Sequence, residues 1–150
     1  MRSWTQRVAV AIGFLLLGIQ FVPIDRSNPR VEPSHTIYAT LTMPAEVKAV
    51  FERSCKNCHS NETDWPWYSY VAPVSWVVGH DVHQARKTMN FSEWGRYSAE
   101  RKEDKLEEIC EQVTRGEMPD RKYAIFHRSA RITSQEREAI CQWTDESRQY

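Results

Sequence analysis

Residues 55–59 read Cys-Lys-Asn-Cys-His, and Trp65, Trp67, Tyr68 and Tyr70 follow closely. Three chemistries use such an arrangement. Two thiols two residues apart on a helical turn can reach the two vinyl groups on one edge of a porphyrin. The next residue, a histidine, then swings its imidazole under the iron; this is the C-x-x-C-H signature of covalent haem attachment. The same thiols are half of a tetrahedral zinc site. As a bare Cys-x-x-Cys pair they are a redox dithiol.

The rest of the chain weighs these readings. Zinc needs two further ligands, and Cys110 and Cys141 are each isolated, without the paired spacing of a ribbon or knuckle. A thioredoxin-like dithiol needs a βαβ context, whereas the flanking segments read as helix and loop. Haem is ligated to such thiols after export, and the N-terminus carries an export signal. The motif therefore predicts one haem c, with Cys55 and Cys58 as thioether tethers and His59 as an axial ligand.

A second axial ligand, or its absence, separates an electron carrier from a catalyst or sensor. Met118 lies in Arg-Gly-Glu-Met-Pro, where Pro119 stiffens the loop and holds a thioether far in sequence from His59. His127, in Ile-Phe-His-Arg, is its rival, and a hydrogen bond organising the loop is its other role. His80 is a further candidate, as are His83, His35 and an open site. Trp65, Trp67, Tyr68 and Trp76 can wall a porphyrin and bond its propionates, or simply pack the loops of a small domain. Cys110 and Cys141 are expected to form a disulfide in an oxidising compartment, two buried thiols being the alternative.

The elements that position these groups begin with a membrane segment. Arg2 and Arg7 precede VAVAIGFLLLGIQFVPI, residues 8–24, in which Gln20 is the one strongly polar side chain. A basic flank and an apolar run near the lower limit of about 17 residues predict a single-pass signal anchor over residues 1–24. The run ends without a small-x-small site, so the anchor is expected to stay uncleaved. The basic end belongs in the cytoplasm, which puts the domain in the periplasm on the cytoplasmic membrane. Residues 25–42, with Pro29 and Pro33 and no amphipathic period, read as an extended tether, and residues 43–150 as the domain.

Four helices are predicted in that domain, and no strand. Pro44 opens the first, which carries Val47, Val50 and Phe51 into the cysteine motif. Pro73 opens the second, with Val74, Val77, Val78, Val82 and Ala85 on one face. Ser98 caps the third, striped with Leu106, Ile109, Cys110 and Val113 and stopped by Gly116. Thr133 and Glu136 make a capping box for the last, which buries Ala139, Ile140 and Trp143. Loops are expected over 60–72, 88–97 and 116–132. The fold class is all-α, cytochrome c-like, with a core thin enough to need an apolar cofactor at its centre. Formal charge is zero and the charged residues of 96–148 are interleaved in sign, which excludes a nucleic-acid-binding role.

These residues together resemble the membrane-anchored haem-binding domain family of bacterial periplasmic c-type cytochromes. The resemblance is carried by Ile19-Gln20-Phe21, Asp25-Arg26-Ser27-Asn28-Pro29, Cys55-Lys56-Asn57-Cys58-His59-Ser60 and Asp64-Trp65-Pro66-Trp67-Tyr68. It continues through Ala72-Pro73-Val74-Ser75-Trp76, Asn90-Phe91-Ser92-Glu93-Trp94, Gly116-Glu117-Met118-Pro119, Tyr123 and His127. It implies covalent haem on Cys55 and Cys58, with His59 and Met118 as ligands. The chain departs from it at Gln84-Ala85-Arg86, where a glycine is usual, at Asp120, where a second proline is, and in its Cys110/Cys141 pair. Single-electron transfer with membrane or periplasmic redox proteins is the expected function. Its rivals are a haem peroxidase or ligand sensor and a zinc-binding module.

Overall fold

The computed structural model describes residues 3–148; Arg2, on the basic flank of the anchor, lies outside them. Among the described residues there are eight α-helices and no strand. Helix α1 (Trp4–Gly18) continues through a 3-10 turn, so that Trp4–Phe21 forms 18 residues of mean hydropathy 1.3, none of them buried, long and apolar enough to cross a membrane.

Beyond α1 come α2 (Ile37–Thr40), α3 (Ala45–Ser54), α4 (Lys56–His59) and α5 (Val74–Thr88). The chain closes with α6 (Ala99–Arg115), α7 (Arg121–Phe126) and α8 (Ser134–Arg148). The predicted caps are present. Ser98 accepts from the Arg101 amide, Gly116 ends α6 in the left-handed conformation at φ 69°, and Thr133 and Glu136 bond each other's amides at the start of α8. Each satisfies backbone groups that a helix end leaves open.

The core lies where α8 packs on α3 and α6. Phe51 is at its centre, stacked on Phe91 and edge-on to Trp143, both with ring centroids 5.3 Å away. Val47, Val50, Leu106, Ile109, Val113 and Ile140 fill the space around these rings. Cys110 and Cys141 are joined in a disulfide that clamps α6 to α8. The valine face of α5 stays out of this core: Val82 is buried, but Val74 and Val77 are 40% and 44% exposed.

Two segments differ from the sequence reading. The stretch 25–42, expected as an extended tether, is bound to the domain near both of its ends. Arg86 donates to the Ser27 carbonyl at 2.8 Å and to Asn28 Oδ1 at 2.7 Å, and Asn28 donates to the Thr63 carbonyl at 2.9 Å. Further on, Ile37 is fully buried and its amide donates to the Phe91 carbonyl at 2.8 Å. A short segment with two prolines shows no period, yet polar contacts and one apolar plug suffice to hold it. Within the expected 116–132 loop, Asp120 caps α7 through the Lys122 amide at 2.7 Å, a signal obscured by Pro119.

Candidate haem site

Helix α3 ends at Ser54, and Cys55 begins a new turn on which the Cys58 and His59 amides both bond its carbonyl, at 3.2 and 3.0 Å. One helical turn thus carries all three motif side chains. His59 is buried, and its Nδ1 lies 3.0 Å from the Met89 carbonyl oxygen. A carbonyl can only accept, so Nδ1 carries the proton and Nε2 keeps its lone pair. Burial holds the imidazole below its ordinary pKa, hence neutral. Its ring stacks on Phe91 at 5.7 Å, and its carbonyl accepts from the Phe91 amide at 2.7 Å.

The next residues are pinned by the same strand of chain. Asn90 Nδ2 donates to Asn61 Oδ1 at 2.8 Å, the Asn61 amide donates to Ser92 Oγ at 3.0 Å, and the Ser92 amide donates to Asn90 Oδ1 at 3.0 Å. Asn90-Phe91-Ser92 is therefore a clamp on His59 and Asn61. Arg86 joins the same loop through the Ser60 carbonyl at 2.7 Å and Thr63 Oγ1 at 2.8 Å.

The two thiols of the motif are free. Burial, with a smaller contribution from Cys58, pushes Cys55 up to about 12, and burial followed by Asp81 and Asp120 pushes Cys58 up to about 11. Both are neutral at physiological pH. Among the described residues no three His, Cys, Asp or Glu side chains gather as a metal site, and Cys110 and Cys141 are spent on each other.

Three cavities adjoin the motif. The largest, about 420 Å³, runs from Cys58 along Val74, Val77, Val78 and Val82 of α5 to Tyr68, Tyr123 and Phe126. A second, about 250 Å³, holds Cys58, His59, Met118 and His80, and shares Asp81, Asp120 and Tyr123 with the first. The third, about 150 Å³, holds Cys55, His59, Phe91 and Met118. The open valines of α5 are thus the apolar wall of a chamber.

Residues 14–146 match the family model of the haem-binding domain. The chain belongs to the haem-binding domain family. No curated protein and no solved structure matched it.

The residues fit the family's group. A ring of valines and aromatics, a chamber of about 420 Å³ within the range of about 300–1,000 Å³ common to cofactor sites, and a neutral imidazole with a free Nε2 are what a haem-binding domain needs. Met118, 38% exposed, lines both smaller cavities with His59. His80 lines one of them and is exposed. His127 is committed elsewhere: its Nε2 shares a 2.7 Å hydrogen bond with the Tyr68 hydroxyl, and its ring stacks on Tyr123 at 4.2 Å. His35 accepts from Arg96 at 3.1 Å, and His83 lines a separate cavity with Trp65 and Arg86.

Of the four aromatics read as porphyrin walls, Tyr68 lines the large chamber. Trp65 faces the cavity on the Ile24 side, Trp67 is 77% exposed, and Trp76 points its indole N–H at the Val22 carbonyl, 3.5 Å away. The wall is made instead by the valines of α5 with Tyr123 and Phe126. Those valines were visible as a single face. The α7 aromatics come without a period of their own.

Proposed function

We propose that this haem-binding domain is a c-type monohaem electron carrier, anchored by Trp4–Phe21 with its domain on the periplasmic face of the cytoplasmic membrane. One observation carries the reading: His59 Nδ1 is tied to the Met89 carbonyl, so that Nε2 is free, on the same helical turn as Cys58, which lines the apolar chamber, and Cys55, which lines a smaller cavity with His59. When bound, haem supplies a one-electron ferric–ferrous couple. Cys55 and Cys58 would hold it through thioether bonds, and His59 and Met118 would ligate its iron. Phe91 and Met89 keep the imidazole from rotating, and the valines exclude water from the porphyrin face. Membrane or periplasmic redox proteins would exchange electrons at its edge.

Export of the full chain alongside a haem-ligation system, then intact mass and a pyridine haemochrome spectrum, tests this. One covalently added haem supports the proposal; a mature chain of apo mass defeats it. A second reading, a ligand sensor or peroxidase with an open sixth site, draws on the exposure of Met118 and the presence of His80 in the same cavity. It predicts a five-coordinate iron that takes up carbon monoxide without displacing a ligand.

A further inference from the structure

Three large side chains within five residues lie open without lining the large chamber: Trp67, Tyr70 and Val71 are 77%, 59% and 45% exposed. A bound porphyrin there would leave them uncovered. What lies beside them is the exit of the apolar helix. The Gln20 amide grips Ala72 at both ends, donating to its carbonyl at 3.1 Å and accepting from its N–H at 2.9 Å. Arg26 donates to the Ser69 carbonyl at 3.1 Å and lies 4.4 Å over the Tyr70 ring. Ile24 packs so closely on Gly79 that a Cβ there would meet it at 3.0 Å.

We infer that the Trp67–Val71 turn is a second membrane contact, seated in the headgroup layer of the bilayer beside the exit of α1. This rests on the reading of Trp4–Phe21 as a membrane span. Eighteen helical residues rise about 27 Å, against a hydrocarbon core of about 30 Å, so Gln20 sits at the core's edge. Ala72, bonded to Gln20, is at the same depth, and Tyr70 and Val71 are its near neighbours. The Trp67–Tyr70 turn extends only about 6 Å at 3-10 rise. The headgroup layer is about 5–7 Å deep on each side. The whole turn fits inside it.

The chemistry agrees with that depth. Tryptophan and tyrosine concentrate at membrane–water boundaries, where the ring is shielded and its polar atom stays wet. Arg26 can lay its stem along Tyr70 and reach a phosphate. The amide of Gln20, the one strongly polar side chain of the apolar run, pairs both backbone groups of Ala72, which would be costly to leave open at the hydrocarbon edge. With zero net charge on the chain, aromatic burial rather than general electrostatic attraction drives the contact. The domain is thereby held against the bilayer rather than lifted from it.

The test uses the full, haem-loaded chain in phosphatidylcholine nanodiscs containing one of two photoactivatable lipids, with a diazirine either in the acyl chain or next to the phosphate. Adduct sites are mapped by mass spectrometry, with the solvent face of α6 as the reference surface. The expected result is acyl-chain adducts within 4–21 and headgroup adducts on 67–71 at least fivefold above α6, unchanged in 0.5 M salt. Anchor adducts with 67–71 no better labelled than α6 overturn the inference and leave the membrane span standing. Protein–protein crosslinks from 67–71 to a second copy also overturn it. Absence of acyl-chain adducts from 4–21 overturns the membrane reading itself, and the inference with it.

Discussion

The imidazole of His59 is bonded to the carbonyl oxygen of Met89, 30 residues further along the chain, at 3.0 Å. That bond leaves one ring nitrogen with a lone pair and occupies the other. It also ties the C-x-x-C-H motif to the end of α5, so the imidazole and the chamber wall move as one.

Burial lowers the pKa of His59, so the unfolded chain takes up a proton at this site more readily than the folded one. Its contribution to stability is complete above the unfolded value of about 6.5. It is lost as pH falls through the lower folded value. Melting of the haem-free chain between pH 8 and pH 5, compared with His59→Gln, measures this. Wild type should lose more stability on acidification than the variant; parallel pH profiles would contradict the assignment.

Met118 is 38% exposed, so Met118→Ala should change the stability of the haem-free chain little, within about 0.5 kcal/mol. In the haem-loaded chain the same change should abolish the near-infrared sulfur-to-iron charge-transfer band. A band that survives in Met118→Ala would refute methionine ligation, and loss of a ligand in His80→Ala would place the sixth bond on α5.

With Cys58 pushed up to about 11, its thiolate fraction at pH 7 is about 10⁻⁴, compared with a few per cent for a free cysteine. Alkylation of the haem-free folded chain should therefore run roughly 100-fold or more slower than that of a model thiol, and Cys55 should be slower still. Rates close to the model thiol would show that burial does not protect the pair.

The Cys110–Cys141 bond spans a sequence separation of 31 residues. Chain entropy values such a closure at about 3–4 kcal/mol. Denaturant titration of a Cys110→Ser/Cys141→Ser chain should show a loss of about that size, with helix content retained. An unchanged midpoint would mean that α6 and α8 hold each other by packing alone.

Arg86 links the strap at Ser27 and Asn28 to the motif loop at Ser60 and Thr63. Arg86→Met should cost about 1–3 kcal/mol. Amide exchange should quicken at residues 26–28 and 60–63 together. If only one of the two segments loosens, the strap has another hold.

Much of this was legible in residue order because it is local. Ser98, Gly116 and the Thr133/Glu136 box act within one turn of their own helices, and the spacing of Val47, Val50 and Phe51 declares a buried face. The Cys-Lys-Asn-Cys-His turn is local as well. Less visible was a segment such as 25–42, whose order comes from partners 35 to 61 residues away. The placing of two aromatics was hidden for the same reason: Trp65 and Trp76 turn toward the chain leaving α1, a neighbour that no local pattern names.

Residue types and spacing by themselves pointed to haem, to the apolar N-terminal helix and to the all-α class, since thiol spacing, hydropathy and capping act over a few residues. Only the tertiary structure decided which nitrogen of His59 is free, that the valines of α5 wall a chamber rather than fill a core, and that His127 belongs to Tyr68. Those outcomes depend on which distant surfaces meet. A hydrogen bond between residues far apart leaves no trace in the spacing of either one.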